Sequence, residues 1–295
     1  MGDLYTKPQA KASSLRRGLS PNIWAQAPIT EINNGGLSEG FGFVDDFLTF
    51  DDENKWVLTQ ATAGTAALDA AAKGGVLLLD AASSTNNQGV QIQMGGAAGA
   101  SSFIASADSK IYFEARVKIA DIGTSGSDTG NLVVGLAEVD TTVLASGANS
   151  TANHICFEHL DDDGAVDFHS EKAGSRDSST GLHTLADDTY FKVGFIVDGI
   201  SSITPYVNGI AQTAHTAQIP IVEMTPTLVC HSAGTTDPIL HVDWIACYQV
   251  EQIANWVRYL SETLAGVGLQ PRPSFIFKRE RWKYYCTSWK NPLAH

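Results

Sequence analysis

The chain has 295 residues, 43% of them hydrophobic and 17% charged, with a formal net charge of −13. A hydrophobic share of that size supports a sizeable core and excludes wholesale disorder. The acidic balance argues against non-specific binding to nucleic acid by the whole chain. No run approaches the ~18 apolar residues of a membrane span. The N-terminus has Arg16 and Arg17 but no apolar stretch of the secretory type.

Residues 1–40 read as an extended, irregular arm. Pro8, Pro21, Pro28, Asn33-Asn34 and Gly35-Gly36 break any period, and Leu15, Leu19, Ile23 and Trp24 are sparse candidates for anchoring it. From about Phe41 the pattern becomes that of strands. Short candidates fall at 75–80, 88–94, 131–138, 154–160, 164–169, 203–207 and 227–231. Ile111, Phe113, Ala115, Val117 and Ile119 alternate with polar residues, which predicts a strand with one buried face. Phe191, Val193, Phe195 and Val197 repeat the pattern, and Leu240, Val242, Trp244, Ala246, Tyr248 and Val250 predict one more such strand. Asn208-Gly209 signals a hairpin turn. The intervening segments are rich in Gly, Ser, Asp and Asn, as turns require. These elements predict an all-β, antiparallel two-sheet jelly-roll sandwich over residues 41–250. Beyond it, Ile253, Trp256, Val257, Leu260 and Leu264 predict a C-terminal helix within 251–295. A basic-aromatic tail follows.

Charge is unevenly placed. Residues 1–20 are net +3 and residues 271–295 net +5, on an otherwise acidic body. The tail interleaves Lys278, Arg279 and Arg281 with Trp282, Tyr284, Tyr285 and Trp289, and aromatic plus arginine is an interface composition. Together with Arg16 and Arg17, these are the candidate partner-binding residues. Cys156, Cys230, Cys247 and Cys286 are scattered, with no CxxC pair, and read as free, mostly buried thiols.

The order Phe43-Val-Asp-Asp-Phe47, Ile111-Tyr-Phe-Glu-Ala-Arg-Val-Lys-Ile119, Tyr190-Phe-Lys-Val-Gly-Phe195, Pro205-Tyr-Val-Asn-Gly209 and His241-Val-Asp-Trp-Ile245 resembles concanavalin A-like (laminin G-like) jelly rolls, particularly those of tailed-phage structural proteins. The resemblance covers about residues 41–250. It implies two sheets packed face to face and, in the phage setting, a domain that decorates capsids or forms tail appendages.

Glycosidases of this fold class carry E-x-D-x-E on one strand face. The nearest match, Glu138-Val-Asp140-Thr-Thr142, lacks the last carboxylate, so the chain is expected not to be an enzyme. His154-Ile-Cys156-Phe-Glu158 puts three metal-ligand types on one strand face, with His159 on the other, and reads as a polar outer face. Asp161-Asp-Asp-Gly164 reads as a hairpin turn before it reads as a calcium loop, and the cluster Asp45, Asp46, Asp51, Asp52 and Glu53 is treated alike. No nucleophile elbow or P-loop occurs, and Gly40-Phe-Gly42 and Gly95-Gly96 read as loop glycines.

The sequence thus predicts a non-enzymatic virion structural protein, a capsid decoration or cement protein attached through its terminal segments, located in the virion. The expected partners are the major capsid protein or other virion subunits, with homo-oligomerisation, no membrane, no nucleic acid and no cofactor or metal. The alternative is a lectin-like, carbohydrate-binding module of a tail appendage, with Trp56, Tyr112 or Tyr206 as an aromatic platform for a glycan.

Overall fold

The computed structural model describes residues 18–25, 27, 40–61, 63–95, 103–121, 130–145, 148–160, 164–234 and 236–251. The predicted C-terminal helix and tail lie outside them. Alternating apolar residues dictate the architecture, because a strand with one apolar face must bury that face against a second sheet. Two sheets result, with every strand pair antiparallel. Sheet A contains β1 (Gly40–Asp45), β3 (Thr65–Leu68), β4 (Leu77–Asp80), β6 (Ser109–Ala120), β13 (Phe191–Asp198), β14 (Ser202–Val207), β15 (Ile210–Ala211) and β17 (Ile239–Glu251). Its order is β15-β14-β13-β6-β17-β4-β3, and β1 pairs with the later half of β17. Sheet B contains β2 (Trp56–Ala61), β5 (Gly89–Met94), β7 (Gly130–Ala137), β10 (His154–His159), β11 (Ala165–Lys172), β12 (Ser175–Thr184) and β16 (Thr225–Ser232), in the order β12-β11-β10-β7-β16-β5-β2. A small hairpin, β8 (Leu144–Ala145) and β9 (Ala148–Asn149), stands apart.

The core lies between the sheets. Phe113 and Phe195 stack at 4.8 Å on sheet A, and Phe168 of sheet B meets Phe195 at 6.0 Å and Phe157 at 4.8 Å. Asn208 and Gly209, both at positive φ, make the predicted turn between β14 and β15. Cys156, Cys230 and Cys247 are free and buried.

Several expectations need correcting. The alternation through β17 changes phase at a bulge between Val242 and Trp244, where Asp243 is the extra residue. Leu240 and Val242 face the core, and after the bulge Ile245 and Cys247 do so. Trp244, Ala246 and Tyr248 therefore lie on the outer face of sheet A, in a separate apolar cluster. Trp56 is a core residue, not a platform: its Nε1 donates to Asp45 Oδ2 at 3.0 Å. Asp45 also accepts from the Phe47 amide and pairs with Lys55, while Asp51 closes the turn at Glu53 and Asn54, so these carboxylates serve the local backbone. Gly40 and Gly42 are strand residues of β1, and Tyr248 lies against them where a β-carbon would clash. The described part of the arm is not irregular throughout. Pro21–Trp24 forms one helical turn, α1, with Pro21 in the first turn, where its missing N–H costs nothing.

Candidate functional site

The outer face of sheet B is built from β7, β10, β11, β12, β16 and β5. Gln91 and Gln93 on β5 reach out and bind the segment that follows β7. Gln93 Nε2 donates to Glu138 O and its Oε1 accepts from Asp140 N; Gln91 Nε2 donates to Asp140 O and its Oε1 accepts from Val143 N. The two side-chain amides thus act as a substitute strand edge for residues 138–143. Val143 and Leu144 then pack over Val133, Ala137, Cys156 and Val229. Glu138-Val-Asp140-Thr-Thr142 is therefore a connection, not a strand, and its residues do not alternate on a sheet face.

β10 carries ionisable groups at i, i+2 and i+4. Its His154, Cys156 and Glu158 share the outer face as expected, but the face is not open: all three are buried, with Glu158 1% exposed. Glu158 is the centre of a polar cluster. Asn149, from β9, donates to Glu158 Oε1 at 2.6 Å. Arg176 Nη1, from β12, lies 3.4 Å from Oε2, and its Nε binds Glu171 Oε2 at 2.7 Å. His154 Nε2 lies 3.5 Å from Glu158 Oε1, and His169 Nε2 lies 3.8 Å from Oε2.

Burial raises Glu158 to about 7, against the pull of Arg176 and Asn149. Burial lowers His154 to about 4, helped by the Arg176 charge, and lowers His169 to about 3. His154 Nδ1 faces the Thr151 carbonyl at 3.2 Å and so carries its proton there. Nε2 of the neutral ring is left an acceptor facing carboxylates. The cluster therefore holds its exchangeable proton on Glu158 below about pH 7. Cys156 stays a thiol, its pKa pushed up by burial, with Sγ donating to Leu136 O. Among the described residues, no group of three or more His, Cys, Asp or Glu side chains is arranged so that it could hold a metal ion. Asp161, Asp162 and Asp163 lie outside the described residues.

Beside the cluster, His215 is buried between Ser170 Oγ, 3.0 Å from Nδ1, and Ser179 Oγ, 2.9 Å from Nε2. Asp177 Oδ2 lies 3.9 Å from Nδ1. That nitrogen is taken by a hydroxyl rather than a carboxylate, so the bond that orients a general base is not made.

The outer face of sheet A holds a second constellation. Glu114, at the middle of β6 and fully buried, accepts from the Ser20 amide and from Trp24 Nε1, both at 2.8 Å on Oε2. Lys192 on β13 donates to Ser20 Oγ at 2.7 Å and to Gly18 O at 3.2 Å. Asn22 Nδ2 donates to Gly209 O at 2.8 Å. Burial raises the Glu114 pKa and lowers that of Lys192, and the two partly hold each other in the charged state. Ile23 and Trp24 pack on Tyr112, Trp244, Ala246 and Tyr248. Next to Ile23, Tyr112 and Tyr206 line a groove with Lys110, Asp198 and Thr204. Sequence reasoning noted Ile23 and Trp24 as anchors but missed their target, Glu114 and Lys192. All nine predicted partner-binding residues, Arg16, Arg17, Lys278, Arg279, Arg281, Trp282, Tyr284, Tyr285 and Trp289, lie outside the described residues.

No protein-family profile and no curated protein matches the sequence. Among solved structures, the chain is similar to a protein of unknown function from Shewanella oneidensis MR-1, at 13% identity and a TM-score of 0.52, over 81% of this chain and 98% of that one. It is similar to an endo-1,3-beta-glucanase from Streptomyces sioyaensis, at 12% identity and a TM-score of 0.51, over 72% and 98%. The carbohydrate recognition domain of Emp47p aligns at 11% identity and a TM-score of 0.49, over 73% and 98%. The fold is a concanavalin A-like jelly roll. At such identities the likeness is one of fold. It nonetheless overturns the expectation that the chain is not an enzyme. Solved endo-glucanases are built on this fold, and the motif lacking its acid proves to sit in a connection while a carboxyl with a raised pKa sits on β10.

Proposed function

We propose that this chain is a virion structural protein whose jelly roll decorates a tailed-phage capsid. The observation that carries the reading is the arm: a segment outside the sandwich lies on sheet A through a buried carboxylate, a buried lysine and a tryptophan. Such a latch is a way of fastening one piece of chain to another surface. The motif resemblance over residues 41–250 supports the same setting. The test is quantitative protein staining of purified particles. Hundreds of copies per particle fit a decoration protein, and absence from particles sinks the reading.

A second reading, a glycan-directed module, is favoured by one observation. A cleft of about 410 Å³ opens beside sheet B, lined by Thr59, Gln60, Asn87, Thr142 and His231. Uncharged hydroxyl and amide groups of this kind hydrogen-bond sugars. Glu158, holding its proton to about pH 7, is the candidate general acid on the same sheet, buried beneath Asn149 and three strands from the cleft's Gln91. On β-1,3-glucan, any turnover should be lost in Glu158→Gln and kept in Glu138→Gln. The reverse order would remove Glu158 from the chemistry. Glycan binding without turnover, with few copies per particle, would mark a lectin of a tail appendage.

A further inference from the structure

We infer that the outer face of sheet A is a receptor for residues 18–25, and that in an assembly each copy's receptor takes the arm of a second copy. The receptor is specific and preformed on rigid strands. Glu114 offers one carboxylate oxygen to two arm donors, and Lys192 offers its ammonium to two arm acceptors. Gly194 leaves the space that Ile23 fills: a β-carbon there would lie 2.7 Å from Ile23 Cδ1. Trp24 lies against Tyr112, with ring centroids 6.0 Å apart. Without an arm, this face exposes Tyr112, Trp244 and Tyr248 around a bare carboxylate and lysine. Such a face needs a cover.

Two facts favour a second copy as the exchanging partner. The first is reach. Twelve residues, 28–39, separate Ala27 from β1, and an extended connection of that length spans about 40 Å. This is enough for the arm to leave its own sheet for that of a neighbour, with every contact re-formed and none lost. The second is charge. Residues 1–20 are net +3, whereas residues 40–251 hold 8 basic and 27 acidic residues, so the arm leads a basic segment onto an acidic body. In dilute solution a tether of this length gives an effective concentration in the millimolar range, and each chain keeps its own arm. In a crowded shell, neighbouring arms compete at similar concentration.

The test mixes two full-length variants. Trp24→Ala spoils the arm but leaves the receptor intact. Glu114→Ala spoils the receptor but leaves the arm intact. Each should be monomeric alone by light scattering, whereas the mixture should show a species of twice the mass. A mixture that stays monomeric while both variants keep the wild-type far-UV spectrum overturns the inference. So does a dimer in either variant alone, because the contact then uses another surface. If Glu114→Ala does not fold, Lys192→Met takes its place as the receptor variant, with the same outcomes expected.

Discussion

The urea midpoint of this protein should fall steeply as the pH drops from 6.5 to 4.5. Burial depresses His154 and His231 to about 4 and His169 to about 3. In that window the unfolded chain protonates all three, since its histidines titrate near 6.5, while the native chain keeps them neutral. Groups with depressed native pKa values lend stability that is present above the unfolded value and lost as pH falls. Glu158 acts in the opposite sense. Raised to about 7, it retains in the native state a proton that the unfolded chain gives up above about 4.5. From these four groups the unfolded state binds about two more protons than the native state around pH 5. Each is worth about 1.4 kcal/mol per pH unit, so stability should change by about 3 kcal/mol per unit. Between 6.5 and 7.5 the histidine contribution fades and Glu158 increasingly offsets it, so the slope falls toward zero. His231→Gln should shallow the acid limb by about one proton. A midpoint that does not move between pH 6.5 and 5 would show that these histidines are open to water in the native state.

Phe195→Ala should lower stability by about 3–5 kcal/mol, the range for deleting a fully buried phenylalanine. Phe195 touches both sheets through its stacking on Phe113 and its contact with Phe168. Its loss leaves a cavity where neither sheet can move in without disturbing the other. In a domain of this size about 10 °C of melting temperature goes with it. Ile210→Ala, at an exposed position, should change stability by less than about 0.5 kcal/mol. Equal effects of the two substitutions would mean that the sheets are not clamped at Phe195.

Much of the sandwich was legible because its strands announce a buried face. The β6 and β13 alternations place the right residues inside. Where no face is buried, no pattern is written. Ser175–Thr184 is an edge strand, bonded only to β11 and largely exposed, and its Ser-Arg-Asp-Ser-Ser-Thr-Gly run reads as loop. Where a bulge intervenes, the pattern misleads. Trp244, Ala246 and Tyr248 continue the apolar alternation of Leu240 and Val242, yet they point the other way because Asp243 is extra. The sites were less legible than the fold. His154 and Glu158 are visible as a spacing, but what sets their protonation is Asn149, His169 and Arg176. These arrive from β9, β11 and β12 through strand registers that local sequence does not specify. The same holds for Glu114, a polar residue in an alternating strand until Trp24 is laid on it from 90 residues away.

The glutamine pair on β5 has a consequence for how the molecule opens. The amides of Asp140 and Val143 are bonded to side chains rather than to a strand. Breaking those bonds costs no sheet ladder. The stretch from Glu138 to Leu144 can therefore part from sheet B as a unit of its own, losing the Val143 and Leu144 contacts but no ladder of that sheet, at a free energy below that of global unfolding. In hydrogen–deuterium exchange these two amides should label early, while those of β7 beneath remain protected.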